Sequence, residues 1–242
     1  MRSRKNADPI SASTQDNPSE RSLPASVTDI GLWIDAPPVR RQAPVPALFL
    51  DRDGVIVEEV GHLRRPADVR LIPDAGRVIA AANRAGVPVV VVSNQSGIGR
   101  GLFDWDDFGH VQDEIAARLA EDGARLDAVL ACAFHGRAFA PFDRADHPCR
   151  KPNPGLLLIA AERLGLDLAR SWIIGDRSTD LAAGQAAGLA GGLLVTTGHG
   201  GEPNEWADVA ALAAGGILEV AHVNSIGDAL NRLPLFGHGG RR

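Results

Sequence analysis

Four short apolar runs in this chain are each followed by a polar cluster, and that recurrence narrows the fold more than any other feature. Ala47-Leu48-Phe49-Leu50 leads into Asp51-Arg52-Asp53-Gly54, and Val87 to Val92 into Ser93-Asn94-Gln95-Ser96-Gly97. Leu126 to Cys132 is followed, beyond a loop, by Arg150-Lys151-Pro152, and Ser171 to Gly175 by Asp176-Arg177-Ser178-Thr179-Asp180. The gaps from Asp51 to Ser93, Lys151 and Asp176 in turn are 42, 58 and 25 residues, so each holds a helix-and-strand unit or slightly more. Helical patterns fill them. One runs from Asp74 to Ala85, with Asp74 as N-cap and Gly86 as the stop. A second runs from about Asp104 to Glu121, with Phe108, Val111, Ile115 and Leu119 on one face. Pro154 to Leu164, with Pro154 near the first position, and Ser178 to Ala187 complete the set. Gly192 to Thr196 reads as a fifth strand, Ile217 to Val223 as an edge strand, and Ile226 to Leu233 as a last helix. The alternation predicts an α/β fold: a doubly wound, Rossmann-like parallel sheet with helices on both faces. Ligands of such sheets bind beyond the carboxyl ends of the strands, where the polar clusters fall.

Composition sets the outer bounds. The 242 residues suit one domain with appendages, and 45% hydrophobic residues are enough for a core. A formal charge of −5 argues against a nucleic-acid or membrane-surface partner, while leaving room for a local basic pocket. The apolar stretches are too short to span a bilayer. Arg2, Arg4 and Lys5 are followed by no apolar segment, so no signal peptide is expected, and two cysteines exclude a disulfide scaffold. A cytoplasmic monomer is the expectation. Residues 1–46 read as a largely disordered extension, with a tail over roughly the first 25. Within it, Ile30-Gly31-Leu32-Trp33-Ile34 is either a segment that docks on the domain or solvated chain with an incidental tryptophan. The main domain is expected over 47–234, and 235–242 as a frayed end.

The clusters carry chemistry by type and spacing. Residues two apart in an extended segment point the same way, so Asp51 and Asp53 project together past the sheet edge. Two carboxylates so close call for a cation or a proton between them. Ser93 to Gly97 offers a hydroxyl and backbone N–H groups at a strand end, a cradle suited to phosphate. Arg150 and Lys151 place two cations at a helix start, the wrong end of its dipole unless an anion sits there. Asp176 and Asp180 stand one helical turn apart on a common face.

Phe49-Leu50-Asp51-Arg52-Asp53-Gly54, Ser93-Asn94-Gln95-Ser96-Gly97-Ile98, Arg150-Lys151-Pro152 and Gly175-Asp176 resemble the four motifs of the haloacid dehalogenase superfamily. Within it they are similar to the histidinol-phosphatase and heptose-bisphosphate phosphatase subgroup. The resemblance implies a Mg²⁺-dependent phosphatase acting on a small phosphorylated metabolite, with Asp51 as nucleophile and Asp53 as general acid and then base. It implies Mg²⁺ held by Asp51, the Asp53 backbone carbonyl and Asp176, with Asp180 behind the ion. Ser93, the Asn94 backbone and Lys151 would bind the phosphoryl oxygens, with Gln95, Ser96 and Arg177 beside them. By motif register, Glu59, Val60, Gly61, His62 and Arg150 match substrate-contacting positions. His62 stands where an aromatic residue is common. Only 20 residues separate Asp53 from Pro73, which leaves no room for a large cap domain and predicts an open site. Heptose 1,7-bisphosphate is the first substrate expected and histidinol phosphate the second. A noncatalytic phospho-ligand sensor would have no need of an Asp51/Asp53 pair, and a mutase would need a cap.

Cys132, His135, His147 and Cys149 bracket one loop, and two thiolates with two imidazoles suit a structural, tetrahedral Zn²⁺. The resembling family often carries Cys-x-His and Cys-x-Cys here. In this chain Phe134 stands two after Cys132, and His147 replaces a cysteine. A metal-free loop, with Cys132 in the core and the histidines outside, is the alternative.

Overall fold

The computed structural model describes residues 27–216 and 218–236. The tail expected over roughly the first 25 residues and most of the expected frayed end lie outside the described residues. In chain order the main elements are β1 (Val27–Asp29), β2 (Leu32–Asp35), β3 (Leu48–Leu50), α1 (Ala75–Arg84), β4 (Val89–Asn94) and α2 (Ser96–Gly99). Then come α3 (Trp105–Glu121), β5 (Ala128–Cys132), α4 (Gly155–Leu164), β6 (Trp172–Gly175), α5 (Ser178–Ala187), β7 (Gly191–Val195), α6 (Pro203–Ala214), β8 (Glu219–Val223) and α7 (Ala229–Arg232).

The eight strands form one sheet in the order β1-β2-β5-β4-β3-β6-β7-β8. The six from β5 to β8 are parallel, and β2 and β1 extend the sheet antiparallel. From β3 the chain winds through β4 to β5, then returns to lay β6 on the other side of β3. That reversal makes the β3/β6 border the switch point where such sheets open a ligand crevice. The alternation of side chains explains why the strand runs are apolar throughout. Leu48, Leu50, Val89, Val91, Trp172 and Ile174 enter one core with Val78 and Ile79 of α1 and Phe108 and Ile115 of α3. Phe49, Val90, Val92 and Ile173 enter the other, with Leu156 and Leu157 of α4 and Leu181 of α5. Both faces are covered, so no polar alternation is allowed.

Several expectations shift in detail. Asp74 does sit at the start of α1, but at φ 67° and without a side-chain cap bond; its carboxylate meets Arg77 Nη1 at 3.1 Å. Asp104 is the true side-chain cap: it accepts from Asp107 N at 2.9 Å while the Asp107 carboxylate accepts from Asp104 N, a reciprocal pair that starts α3. The expected last helix is a 3₁₀ turn, Ile226–Asp228, followed by the short α7. Helix α6 was not expected, although Pro203 at its first turn and Trp206, Val209 and Leu212 at three-residue steps mark it.

Of the segment Ile30 to Ile34, Ile30 and Gly31 turn between β1 and β2, and Leu32 to Ile34 belong to the sheet. β2 pairs with β5 from Leu32↔Cys132 to Asp35↔Val129. Trp33 packs edge-on to Phe108 at 5.2 Å and lies 6.0 Å from Trp105, whose Nε1 donates to the Ile30 carbonyl at 2.9 Å. Trp33→Ala should therefore lower unfolding stability by roughly 3 kcal/mol, the usual cost of emptying a large aromatic site. Urea unfolding measures it, and a loss of only a few tenths would show that the strand is not part of the cooperative core.

Candidate active site

Asp51 leaves β3 directly and is fixed by its N–H donating to the Ile174 carbonyl of β6 at 2.9 Å. Its Oδ1 lies 2.8 Å from Lys151 Nζ. The same ammonium meets Asp180 Oδ1 at 2.6 Å and donates to the Val92 carbonyl at 2.7 Å. Lys151 is buried, and its backbone is gripped by the Asn94 side chain: Nδ2 donates to the Lys151 carbonyl at 3.0 Å, and Oδ1 accepts from its N–H at 3.1 Å. The end of β3, strand β4 and the first turn of α5 thus converge on one lysine. Burial by itself would lower the Lys151 pKa, but Asp180 and Asp51 outweigh it and raise it.

Asp176, at the end of β6, completes a cluster. Carboxylate oxygens of Asp51, Asp176 and Asp180 lie within 4.8 Å of one another, the only such metal-ligating group among the described residues. Burial, then Asp51 and Asp180, push the Asp176 carboxyl up to about 8. Asp51 rises to about 6, chiefly by burial, with Lys151 opposing and Asp180 and Asp53 adding to it. Mutual repulsion adds to burial, because three carboxylates crowd together and Lys151 pairs with only two of them, Asp51 and Asp180.

A loop after β7, unremarked in the sequence, shapes this cluster. His199 N donates to Asp176 Oδ2 at 2.8 Å, and Thr197 Oγ1 donates to the Gly54 carbonyl at 2.5 Å. Gly54 (φ 79°) and Gly198 (φ 64°) flank the Asp176 carboxylate so closely that a Cβ on either would run into Asp176 Oδ2. The signal was there in Thr197-Gly198-His199-Gly200 at another strand end.

Asp51, Asp53, Ser93, Lys151, Asp176 and Asp180 line a cavity of about 330 Å³, together with Glu59, Asn94, Ser96, Arg150, Arg177 and Thr179. A larger cavity of about 420 Å³ beside Trp206 and His222 holds no comparable acid cluster. Arg150 reaches the site by donating from Nη1 to the Phe134 carbonyl at 3.0 Å, and Arg177 lies 3.6 Å from the buried Glu205. Of the expected substrate residues, Gln95 stands behind Asp53, donating from Nε2 to Asp53 Oδ2 at 2.9 Å and to Ser93 Oγ at 2.8 Å. Of Glu59 to His62, Glu59 alone lines the cavity. Val60 is exposed, the Gly61 N–H donates to the Glu59 carboxylate, and His62 faces Phe103 at 6.2 Å between ring centres. Arg52 was not expected at the site, yet it is fully buried against Asp53.

The four expected zinc ligands do not come together as a metal-ligating group. His135 lines the catalytic cavity instead, with Nδ1 accepting from Arg137 N at 2.9 Å. The place of a ligand is taken by packing: Phe134 stacks on His147 at 3.9 Å and 3°, and meets Phe142 edge-on at 5.9 Å. Burial pushes the Cys132 thiol up to about 12.

The haloacid dehalogenase-like hydrolase family matches residues 32–188 of this chain, and a HAD-hydrolase-like family matches 148–229. The chain belongs to the haloacid dehalogenase-like hydrolases. It is 50% identical over 173 residues, 71% of its length and 80% of the relative's, to a D-glycero-beta-D-manno-heptose-1,7-bisphosphate 7-phosphatase of Mesorhizobium japonicum. A HAD-like phosphatase structure from Mesorhizobium loti aligns with a TM-score of 0.76 at 40% identity, over 90% of this chain and 99% of that one. The D,D-heptose 1,7-bisphosphate phosphatase of B. bronchiseptica, complexed with magnesium and phosphate, aligns with a TM-score of 0.63 at 31% identity, over 78% and 98%. Like these relatives, the chain is a phosphatase.

The donor set fits Mg²⁺: three hard carboxylate oxygens within 4.8 Å of one another and no soft ligand. Gly198→Ala should disturb the Asp176 carboxylate and weaken Mg²⁺ binding roughly 10–100-fold, as loss of a supporting contact around a ligand does. Calorimetric titration of the ion checks it, with unchanged affinity as the contrary result.

Proposed function

We propose that this phosphatase removes the 7-phosphate of D-glycero-β-D-manno-heptose 1,7-bisphosphate through an aspartyl-phosphate on Asp51. The observation that carries the reading is the convergence of Asp51, Asp53, Lys151, Asp176 and Asp180 on one cavity, with Asp51 2.8 Å from the Lys151 ammonium and within 4.8 Å of Asp176 and Asp180. The substrate follows the 50% identical relative. A relative from Burkholderia mallei, 37% identical over 62% of this chain and 79% of its own length, is named for the α-anomer, so the β-anomer is the one to test first.

The chemistry divides into two displacements. An Asp51 carboxylate oxygen attacks phosphorus, the bond from phosphorus to the sugar oxygen breaks, and Asp53 delivers a proton to the departing alkoxide. Asp53 then takes a proton from water, the water oxygen attacks phosphorus, and the bond to Asp51 breaks to release inorganic phosphate. Ser93 Oγ, the Asn94 backbone and the Lys151 ammonium bind the phosphoryl oxygens and stabilise their charge in the transition state. Mg²⁺ held by Asp51, Asp176 and the Asp53 carbonyl, with Asp180 behind, would neutralise the repulsion between carboxylate and phosphate. Glu59, His135, Arg150 and Arg177 also line the cavity and are the residues we assign to the sugar and its second phosphate. The loop from Cys132 to Cys149 is held by the Phe134 stack in place of zinc, a reading supported by the His147 contact and the position of His135.

Three outcomes are expected. Purified enzyme with Mg²⁺ should release one phosphate per heptose bisphosphate and leave the 1-phosphate, followed by phosphorus NMR; turnover of histidinol phosphate alone would redirect the assignment. Asp51→Asn should lose phosphate release while keeping its circular dichroism spectrum, and a variant with wild-type turnover removes Asp51 as nucleophile. Elemental analysis should find no stoichiometric zinc in active protein.

A further inference from the structure

Arg52 lies between the two reacting aspartates in sequence and is among the largest side chains that the fold buries completely, at 1% exposure. A guanidinium cannot shed its charge, so burial obliges it to find partners. Its main partner is Asp53. Nε reaches Oδ1 at 3.2 Å and Oδ2 at 3.1 Å, and Nη2 reaches them at 3.0 and 2.8 Å. The remaining donors find Gln95 Oε1 at 3.2 Å and Gln112 Oε1 at 3.5 Å, and the guanidinium carbon lies 5.1 Å from the centre of the Phe108 ring. Gln112 and Phe108 belong to α3, one turn apart, so a helix remote from the cavity wall grips the arginine from behind.

The pair is asymmetric. The Arg52 side chain is 1% exposed and that of Asp53 19%, so the acid faces the cavity and the arginine does not. With Gln95 Nε2 also on Oδ2, the carboxylate is held from the protein side only, and its cavity side is left for substrate. A fork-to-carboxylate contact fixes direction as well as distance, which a lysine at the same place would not do.

We propose that Arg52 is a positioning residue for proton transfer: its bidentate contact aims the Asp53 carboxylate at the leaving oxygen, and Phe108, Gln95 and Gln112 hold the guanidinium in turn. This rests on Asp53 acting as the acid. A purely structural arginine would affect all substrates alike, whereas a misaimed acid harms those whose leaving group needs a proton.

The test compares kcat/KM for a sugar phosphate, whose alkoxide must be protonated, with that for nitrophenyl phosphate, whose leaving group departs without a proton. Arg52→Lys keeps the charge and loses the fork. It should lower kcat/KM on the sugar phosphate roughly 100-fold, within the usual worth of acid–base catalysis, and leave the aryl ester little changed. Asp53→Asn serves as the benchmark and should show the same selectivity. If Arg52→Lys fails the circular dichroism check, Gln112→Met, which removes one acceptor for the guanidinium, should give the same selective loss at smaller size. Equal losses on both substrates, or none, in a folded variant overturn the positioning role. A benchmark without selectivity overturns the Asp53 assignment and the Arg52 proposal with it, whereas wild-type protein inactive on both esters would overturn the phosphatase reading itself.

Discussion

A single buried ammonium organises this molecule. Lys151 Nζ sits within 2.8 Å of Asp51 after β3, Asp180 in the first turn of α5 and the Val92 carbonyl of β4. Removing one partner from such a buried pair typically costs about 3–5 kcal/mol, because the remaining charge has no water to turn to. The contact therefore constrains the relative heights of β3, β4 and the start of α5, and it needs the switch point between β3 and β6 to bring the acids to one place. The same constraint explains Asn94, which spends its whole amide on the Lys151 backbone and so sets where the lysine enters. Catalysis and fold share these groups: what neutralises Asp51 in the resting protein is what would face phosphate during turnover.

The two aspartates proposed to react solve their mutual repulsion in different ways. Asp51 is paired with a lysine that also serves Asp180, so its surroundings stay short of positive charge and suited to a divalent ion. Asp53 has a private arginine in a fork geometry and a glutamine beside it. One carboxylate is left responsive to an added cation, the other is compensated by the fold itself. That division matches the separate roles of a nucleophile and a proton carrier better than two like environments would.

What could be read from the sequence follows physical range. Runs such as Val89 to Val92 declare themselves because both faces are buried, and the acids, serine and lysine at strand ends declare themselves because turns there carry polar groups toward a crevice. Contacts that depend on packing across the sheet were hidden. Nothing local marks Arg52 as buried, since Phe108, whose ring centre lies 5.1 Å from its guanidinium, is 56 positions on. The Asp176 cradle needs Gly54 and Gly198, which no local pattern links. Asp74 carries a capping side chain at a helix start, yet a left-handed backbone turns it toward Arg77. The cysteine–histidine spacing suggested zinc because spacing says nothing of direction: Phe134 occupies the interior and His135, one residue on, points to the cavity.

The hairpin of β1 and β2 has a consequence beyond its packing. Without it, β5 would be the margin of the sheet, and Ala128-Val129-Leu130-Ala131-Cys132 contains no charge and no proline. Such a margin is a template for strands of other molecules, and proteins commonly blunt it. β2 occupies that template with the chain's own backbone from Leu32 to Asp35, and β1 beyond it is only three residues long. The hairpin thus closes to intermolecular association a flank that the parallel core by itself would leave adhesive.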